Sequence, residues 1–329
     1  MTRRAVCFTG SKSVEVRTEP TPEPGPEEVL VRTERSGVSP GTEMLLYRNK
    51  VPSEMRADET IEALEGTFSY PLRYGYAAVG QVSAVGDAVG AEWLDRRVFA
   101  FNPHESHFLA DPTSLIPTTL APERAIFIPN VETAVNFVMD GRPRIGARVV
   151  VFGQGPVGLL TTALLAEFPL AELVTVDHYG VRRALSESLG ADRSVAPGEL
   201  DAALDADADL VFELSGNPEA LDDAIDAAGY AGRVVVGSWY GTKDVSLALG
   251  ASYHRSHVRI RSSQVSRLDP DHADRWDKDR RMDLVRSCVR DNDFSSLVTH
   301  TFDVERAAEA YRLLDERQDE AVQVVFTYD

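Results

Sequence analysis

Cysteine is scarce. The 329-residue chain holds two, Cys7 and Cys288, which are too few and too far apart for a disulfide framework or a CxxC zinc knuckle. This usage fits a reducing compartment, and the cytosol is the expected location. No stretch of about 18 consecutive apolar residues occurs, which excludes a membrane-spanning helix. The opening MTRRAVCFTG has two arginines and no apolar run behind them, so no secretory signal peptide is expected. Lysine is nearly missing: of 34 basic residues only Lys12, Lys50, Lys243 and Lys278 are lysine. Positive charge is short overall, with 34 basic against 52 acidic residues and a formal net charge of −18. Such a surface repels phosphate backbones and disfavours nucleic acid as a partner. Acidic and lysine-poor, it also matches proteins of salt-loving cells, where high ionic strength screens self-repulsion.

What is present is globular material. Hydrophobic residues make up 43% and charged residues 26%, enough to build full cores, and the length suggests two domains. The first third reads as β-rich: Arg4–Thr9, Val29–Thr33 and Ala78–Val85 are apolar or alternating runs broken by Pro/Gly clusters such as PTPEPGPEE at 20–28. From about residue 130 the rhythm changes. Strands are expected at Arg148–Phe152, Leu173–Val176, Leu210–Glu213 and Val234–Val236, alternating with helices at Val157–Glu167, Val181–Leu189 and Glu219–Ala228. That alternation indicates βαβ units and a doubly wound parallel sheet, its strands apolar throughout because helices cover both faces. The polar stretch at 264–282 reads as a surface connector, followed by a helix at Val304–Leu314 and a strand at Ala321–Phe326.

Gly153-Gln154-Gly155-Pro156-Val157-Gly158 fits G-x-G-x-x-G and lies between an expected strand and an expected helix, the context the motif requires. Gly153 permits the tight turn, Gly155 lets backbone approach a pyrophosphate, and Gly158 allows helix and strand to pack closely. The helix start adds unpaired N–H groups and a positive dipole end for phosphates. Asp177 ends the next strand, where a carboxylate accepts ribose hydroxyls and repels a 2′-phosphate, favouring NAD over NADP. Arg182 and Arg183, one turn on, would bind that phosphate if Asp177 turned away, which keeps NADP open.

Together with Tyr70-Pro71, Gly80-Gln81-Val82-Ser83-Ala84-Val85-Gly86, Leu189-Gly190-Ala191-Asp192, Phe212-Glu213-Leu214-Ser215-Gly216, Gly232–Gly237 and Thr299-His300-Thr301-Phe302, the glycine turn resembles the medium-chain dehydrogenase/reductase superfamily, that is, the zinc alcohol dehydrogenases and their zinc-free relatives. The resemblance covers nearly the whole chain. It implies an α/β architecture: a GroES-like β-barrel domain from residues 1–129 and 264–329, and a Rossmann dinucleotide-binding domain from 130–263. It also implies cofactor contacts at Ser215, Gly237 and Thr133, a small-molecule substrate, and a homo-oligomer (dimer or tetramer). The run Val245–Leu249 reads either as an edge strand seeking a partner at an interface or as an internally packed segment.

The sequence departs from the family at the metal. Where the zinc enzymes have C-G-x-C-G-x-D, this chain has Ser36-Gly37-Val38-Ser39-Pro40-Gly41-Thr42-Glu43, and Tyr76 and Ala77 replace the His and Glu of the G-H-E stretch. Ala125–Pro129 offers no third ligand, so no catalytic zinc is expected. Carbonyl polarisation then falls to organic groups. Tyr76 occupies a former ligand position, either as a hydrogen-bond donor or as filler of the vacated space. Thr42 matches a proton-relay hydroxyl of the zinc enzymes, Glu43 is a relay or helix-capping candidate, and His104 is either an acid/base or an exposed loop histidine. His254 and His257 read as surface or interface residues, and His178 as an adenine neighbour.

Three functions follow. The first is a zinc-independent NAD(P)-dependent oxidoreductase on an alcohol/carbonyl pair. The Ser36–Glu43 loop most resembles the group that includes bacteriochlorophyllide hydroxyethyl dehydrogenases. The second is an NADPH-dependent quinone or enone reductase. The third is a dinucleotide-binding protein without turnover.

Overall fold

The protein is described from a computed structural model, in which residues 2–58 and 60–328 are defined. They form two compact units, 1–129 with 286–329, and 130–285.

The first unit is an antiparallel-rich β structure. Its largest sheet runs Val298–Asp303, Gln323–Thr327, Val29–Gly37, Ala78–Val85, Arg97–Ala100 and Ile116–Pro117, with His107–Ala110 also pairing to Val29–Gly37. A separate hairpin joins Thr2–Gly10 to Ser13–Pro20. The inward residues Val29, Val31, Ala78, Val82, Val98 and Phe108 make one core. Two strands meet closely at Gly80, where a Cβ would lie 2.3 Å from the carbonyl oxygen of Arg32, so only glycine lets them pair. This is the GroES-like part of the expected architecture.

The second unit is the Rossmann part. Six parallel strands lie in the spatial order Arg193–Val195, Glu172–Val176, Arg148–Phe152, Ala208–Glu213, Ala228–Val236 and Arg259–Ser262. In chain order this is 3-2-1-4-5-6, and winding reverses between Arg148–Phe152 and Ala208–Glu213. Val149, Val150 and Val151 are fully buried, as expected of a strand covered on both faces. The helices Pro156–Ala166, Gly180–Ser188 and Pro218–Asp226 connect the strands.

Two details differ from the sequence expectation. Residues 264–285 cluster with the second unit, and Lys278–Asp291 is a helix, not a connector. The reason is electrostatic. Arg281 is 1% exposed and donates to Glu132 (2.7 Å) and Asn136 (2.6 Å) on the helix Ile128–Gly141. On the same helix, His272 Nε2 lies 3.1 Å from the Met139 carbonyl. Of the two readings of Val245–Leu249, the structure shows internal packing: Val245 and Leu247 pack against the sheet's core, and the edge strand is Arg259–Ser262.

Among the described residues, no helix is long and apolar enough to cross a membrane.

Candidate functional site

The glycine turn forms where the first Rossmann strand ends. Gly153 has φ +88°, and a Cβ there would lie 2.5 Å from Ser215 Cα. At Gly158 a Cβ would lie 1.9 Å from the Gly153 carbonyl oxygen, so helix and turn touch backbone to backbone. Gly155 is different: its Cβ would meet nothing within 4 Å. No side chain caps the helix that follows, and Pro156 begins it. A turn with a bare, open face at Gly155 and an uncapped helix start beyond it suits a pyrophosphate.

Gln154 and Asp177 hold this turn in shape. The Gln154 side chain is fully buried; its Nε2 donates to the Gly153 carbonyl (3.2 Å) and its Oε1 accepts from Thr162 Oγ1 (3.0 Å). Gln154 N–H donates to Asp177 Oδ2 at 2.7 Å, and Tyr179 N–H donates to Asp177 Oδ1 at 2.9 Å. Asp177 is therefore pinned towards the turn and does not rotate away. Arg182 lies 3.9 Å from Asp177 Oδ2, with its guanidinium 4.9 Å from the Tyr179 ring centroid. Arg183 closes the end of the strand by donating to the carbonyls of Asp177 and His178, each at 2.8 Å.

Ser215 and Gly237 lie at neighbouring strand ends. A Cβ at Gly237 would be 2.3 Å from the Phe137 ring, so this glycine is needed where the helix bearing the half-buried Thr133 packs on the sheet. Sequence reasoning missed Glu213, the last residue of the strand Ala208–Glu213. It is fully buried, accepts from Ser215 N–H (2.8 Å) and Ser215 Oγ, and takes Tyr240 O–H at 2.5 Å. A carboxylate closing the apolar run Leu210–Phe212 was the available signal.

In the first unit, Tyr76 O–H and Ser39 Oγ share a short hydrogen bond, and Thr42 Oγ1 is 3.4 Å from the same phenol. Burial pushes the Tyr76 phenol above its ordinary value, and the nearby Glu43 carboxylate adds to this against the lowering effect of the Ser39 and Thr42 bonds. Tyr76 is thus a neutral donor at neutral pH, not a phenolate base. Glu43 belongs to the helix Pro40–Tyr47, is wholly buried, and accepts Ser39 N–H at 2.7 Å across the helix start. The alternative of His104 as an exposed loop histidine is corrected. It is 0% exposed, with Nε2 3.1 Å from Glu43 Oε2 and Nδ1 2.7 Å from Ser36 Oγ. The apolar segment from Ala125 to Ile128, near the expected third ligand, is buried and carries no donor atom on its side chains.

One further cluster was illegible in sequence because its members lie far apart along the chain: Asp140, Asp269 and His272, whose ligand atoms all fall within 4.8 Å of one another. Arg261 bonds Asp269 directly and Arg142 lies 3.5 Å from it, so guanidinium groups already balance these carboxylates. Elsewhere, His257 packs on the exposed Tyr230 ring at 5.6 Å.

A profile of the zinc-binding dehydrogenase family matches residues 156–278. L-threonine 3-dehydrogenase of Xanthomonas campestris is 25% identical over 264 residues, covering 69% of this chain and 74% of that protein. Among solved structures, an alcohol dehydrogenase of Escherichia coli with NADH superposes at a TM-score of 0.78 and 18% identity, covering 99% of both chains. A dehydrogenase of Sinorhizobium meliloti described as zinc-binding, bound to NADP, gives 0.78 and 20%, again covering 99% of both.

Proposed function

The chain belongs to the medium-chain dehydrogenase/reductase superfamily, and from that membership we propose that it is a zinc-independent, NAD-dependent oxidoreductase acting on a small-molecule alcohol/carbonyl pair. The hydroxyl cluster of Ser39, Thr42 and Tyr76 carries this reading. The residues that resemble the family's ligand loop bond to one another through hydroxyls, and zinc sites are built from thiolate, imidazole and carboxylate. This donor set does not fit zinc.

The second unit does fit a dinucleotide. Gly155 and the first turn of the helix Pro156–Ala166, including Val157, would take the pyrophosphate, and Asp177 would accept the adenosine ribose. A nicotinamide cofactor held by these residues would supply hydride-transfer chemistry. Tyr76 donates its hydroxyl proton towards the substrate oxygen, Ser39 is its immediate hydrogen-bond partner, and Thr42 is next in reach. Glu43 and His104, sealed from solvent, act on that pair from behind. NAD is favoured because Asp177 is fixed beside the turn, with Arg182 engaged to it. The two cysteines are unpaired, in keeping with the cytosol. Homo-oligomerisation would use the sheet edge at Arg259–Ser262.

The test combines fluorescence titration of NADH and NADPH, a turnover panel of alcohols, aldehydes, quinones and enones, and metal analysis. Expected are tighter NADH than NADPH binding, turnover of an alcohol or aldehyde, and no stoichiometric zinc. NADPH preference with enone reduction favours the reductase alternative, and NADH binding with no turnover favours a sensor. Zinc whose removal abolishes turnover overturns the hydroxyl site.

A further inference from the structure

Behind the Ser39–Tyr76 pair runs a chain of polar side chains shut off from water. Tyr328 O–H and Ser36 Oγ are 2.6 Å apart, Ser36 Oγ and His104 Nδ1 2.7 Å, and His104 Nε2 and Glu43 Oε2 3.1 Å. Tyr311 O–H donates to the same carboxylate oxygen at 2.5 Å, while Glu43 Oε1 takes Ser39 N–H. Ser36, Glu43, His104 and Tyr311 are 0% exposed and Tyr328 is 9% exposed. Burying this many polar groups is costly unless every one is matched, and here they match in a single direction. A carboxylate only accepts, so His104 presents Nε2–H to Glu43 and leaves Nδ1 as an acceptor for Ser36 O–H. Ser36 Oγ then accepts from Tyr328, whose phenol burial keeps protonated.

The imidazole is also clamped sterically. Gly75 has φ +125°, and a Cβ there would lie 2.8 Å from the His104 ring, so the residue directly before Tyr76 is glycine because His104 occupies the space. Phe326 meets the ring edge-on, with centroids 5.1 Å apart. The order Ser36–His104–Glu43 is that of a nucleophilic triad, but Ser36 is sealed and already engaged by Tyr328, so it has no route to a substrate.

We infer that Ser36, Tyr311 and Tyr328 are positioning residues which, through His104 and Glu43, hold Ser39 and Tyr76 in their donating arrangement. This ties the helix Ala307–Glu316, which carries Tyr311, and the residue directly after the strand Gln323–Thr327 to the hydroxyl site. The inference rests on the reading of Tyr76 as the donor to substrate. In chemical terms the chain delivers three hydrogen bonds to one carboxylate. That carboxylate fixes the backbone of Ser39, while His104 fixes the backbone before Tyr76.

The test needs no substrate for its decisive part. In full-length protein with NADH added, imidazole nitrogens are observed by 15N NMR and phenol carbons by 13Cζ-tyrosine NMR, with His104→Gln and Tyr76→Phe assigning the two signals. Expected is the Nε2–H tautomer for His104 in the unaltered protein. Tyr328→Phe and Ser36→Ala should mix the tautomers, Ser36→Thr should restore them, and Tyr311→Phe should shift the Tyr76 signal. Both Phe variants keep their rings, and far-UV circular dichroism confirms that they fold. With whichever alcohol or aldehyde is turned over, the same variants should lose about tenfold in kcat with KM within about twofold. An Nδ1–H tautomer in the unaltered protein, or an unmoved Tyr76 signal in Tyr311→Phe, overturns the inference. If no substrate is ever turned over, the oxidoreductase reading fails, while the two NMR signals still decide this one.

Discussion

Gly155 and Gly158 stand three residues apart on one turn and are glycine for different reasons. A methyl group at Gly158 would meet the Gly153 carbonyl at 1.9 Å, so Gly158→Ala should destabilise the fold by about 3 kcal/mol and lose NADH binding with it. At Gly155 the methyl group would enter open space. Gly155→Ala should therefore keep the thermal midpoint within a few degrees yet weaken NADH at least tenfold. Thermal denaturation alongside NADH fluorescence separates the two, and equal loss of stability in both would contradict a ligand-facing role for Gly155. The first unit gives a second residue-scale expectation. Burial raises the phenols of Tyr74, Tyr76, Tyr311 and Tyr328. A folded pKa above the unfolded value of about 10 means the native state holds more protons, so this stability is present below pH 10 and is lost as pH rises beyond it. Urea midpoints should stay flat up to about pH 9.5 and then fall, and the fall should be shallower in Tyr311→Phe. At this scale the glycines and Asp177 were legible because their chemistry is local. The setting of His104 was not: its partners Ser36 and Glu43 are 68 and 61 residues away, and nothing local separates a sealed histidine from an exposed one.

Among the elements, the four inner parallel strands were legible because their runs are apolar, and the glycine turn fixed where the first one ends; the edge strands Arg193–Val195 and Arg259–Ser262 were not, because they are short, polar and only partly buried. The helix Lys278–Asp291 was not. Its sequence KDRRMDLVRSCVRD is mostly charged, and besides the buried Val285 and Val289 its attachment uses a buried cation, Arg281, meeting Glu132 and Asn136. Hydropathy cannot foresee a charge buried by pairing. Arg281→Met should leave Glu132 buried without its counter-charge and cost about 3–5 kcal/mol, more than the pair itself contributes. Adding Glu132→Leu to Arg281→Met should recover much of that loss, because the cost lies in the orphaned carboxylate. Calorimetry of the two variants decides the matter; a double variant no more stable than the single one would refute the pairing argument.

For the whole molecule the governing number is the net charge of −18. Self-repulsion at this level opposes compaction, and its range shrinks as salt rises, from a Debye length of about 10 Å at 0.1 M to about 3 Å at 1 M. Salt also weakens the surface ion pairs, such as Arg306–Glu309 and Arg317–Glu320, in which all four side chains are at least 40% exposed. Exposed pairs contribute only about 0–1 kcal/mol each, and the buried pair Arg281–Glu132 is screened far less. Relief of repulsion therefore exceeds the loss of attraction, and the thermal midpoint should rise between 0.1 M and 1 M KCl. Potassium chloride is the right salt for this comparison, because sulfate would strengthen apolar burial in any protein and hide the electrostatic effect. A midpoint that falls over this range would mean that arginine–carboxylate networks, not repulsion, dominate the surface, and the acidic composition would then have no stabilising link to salt.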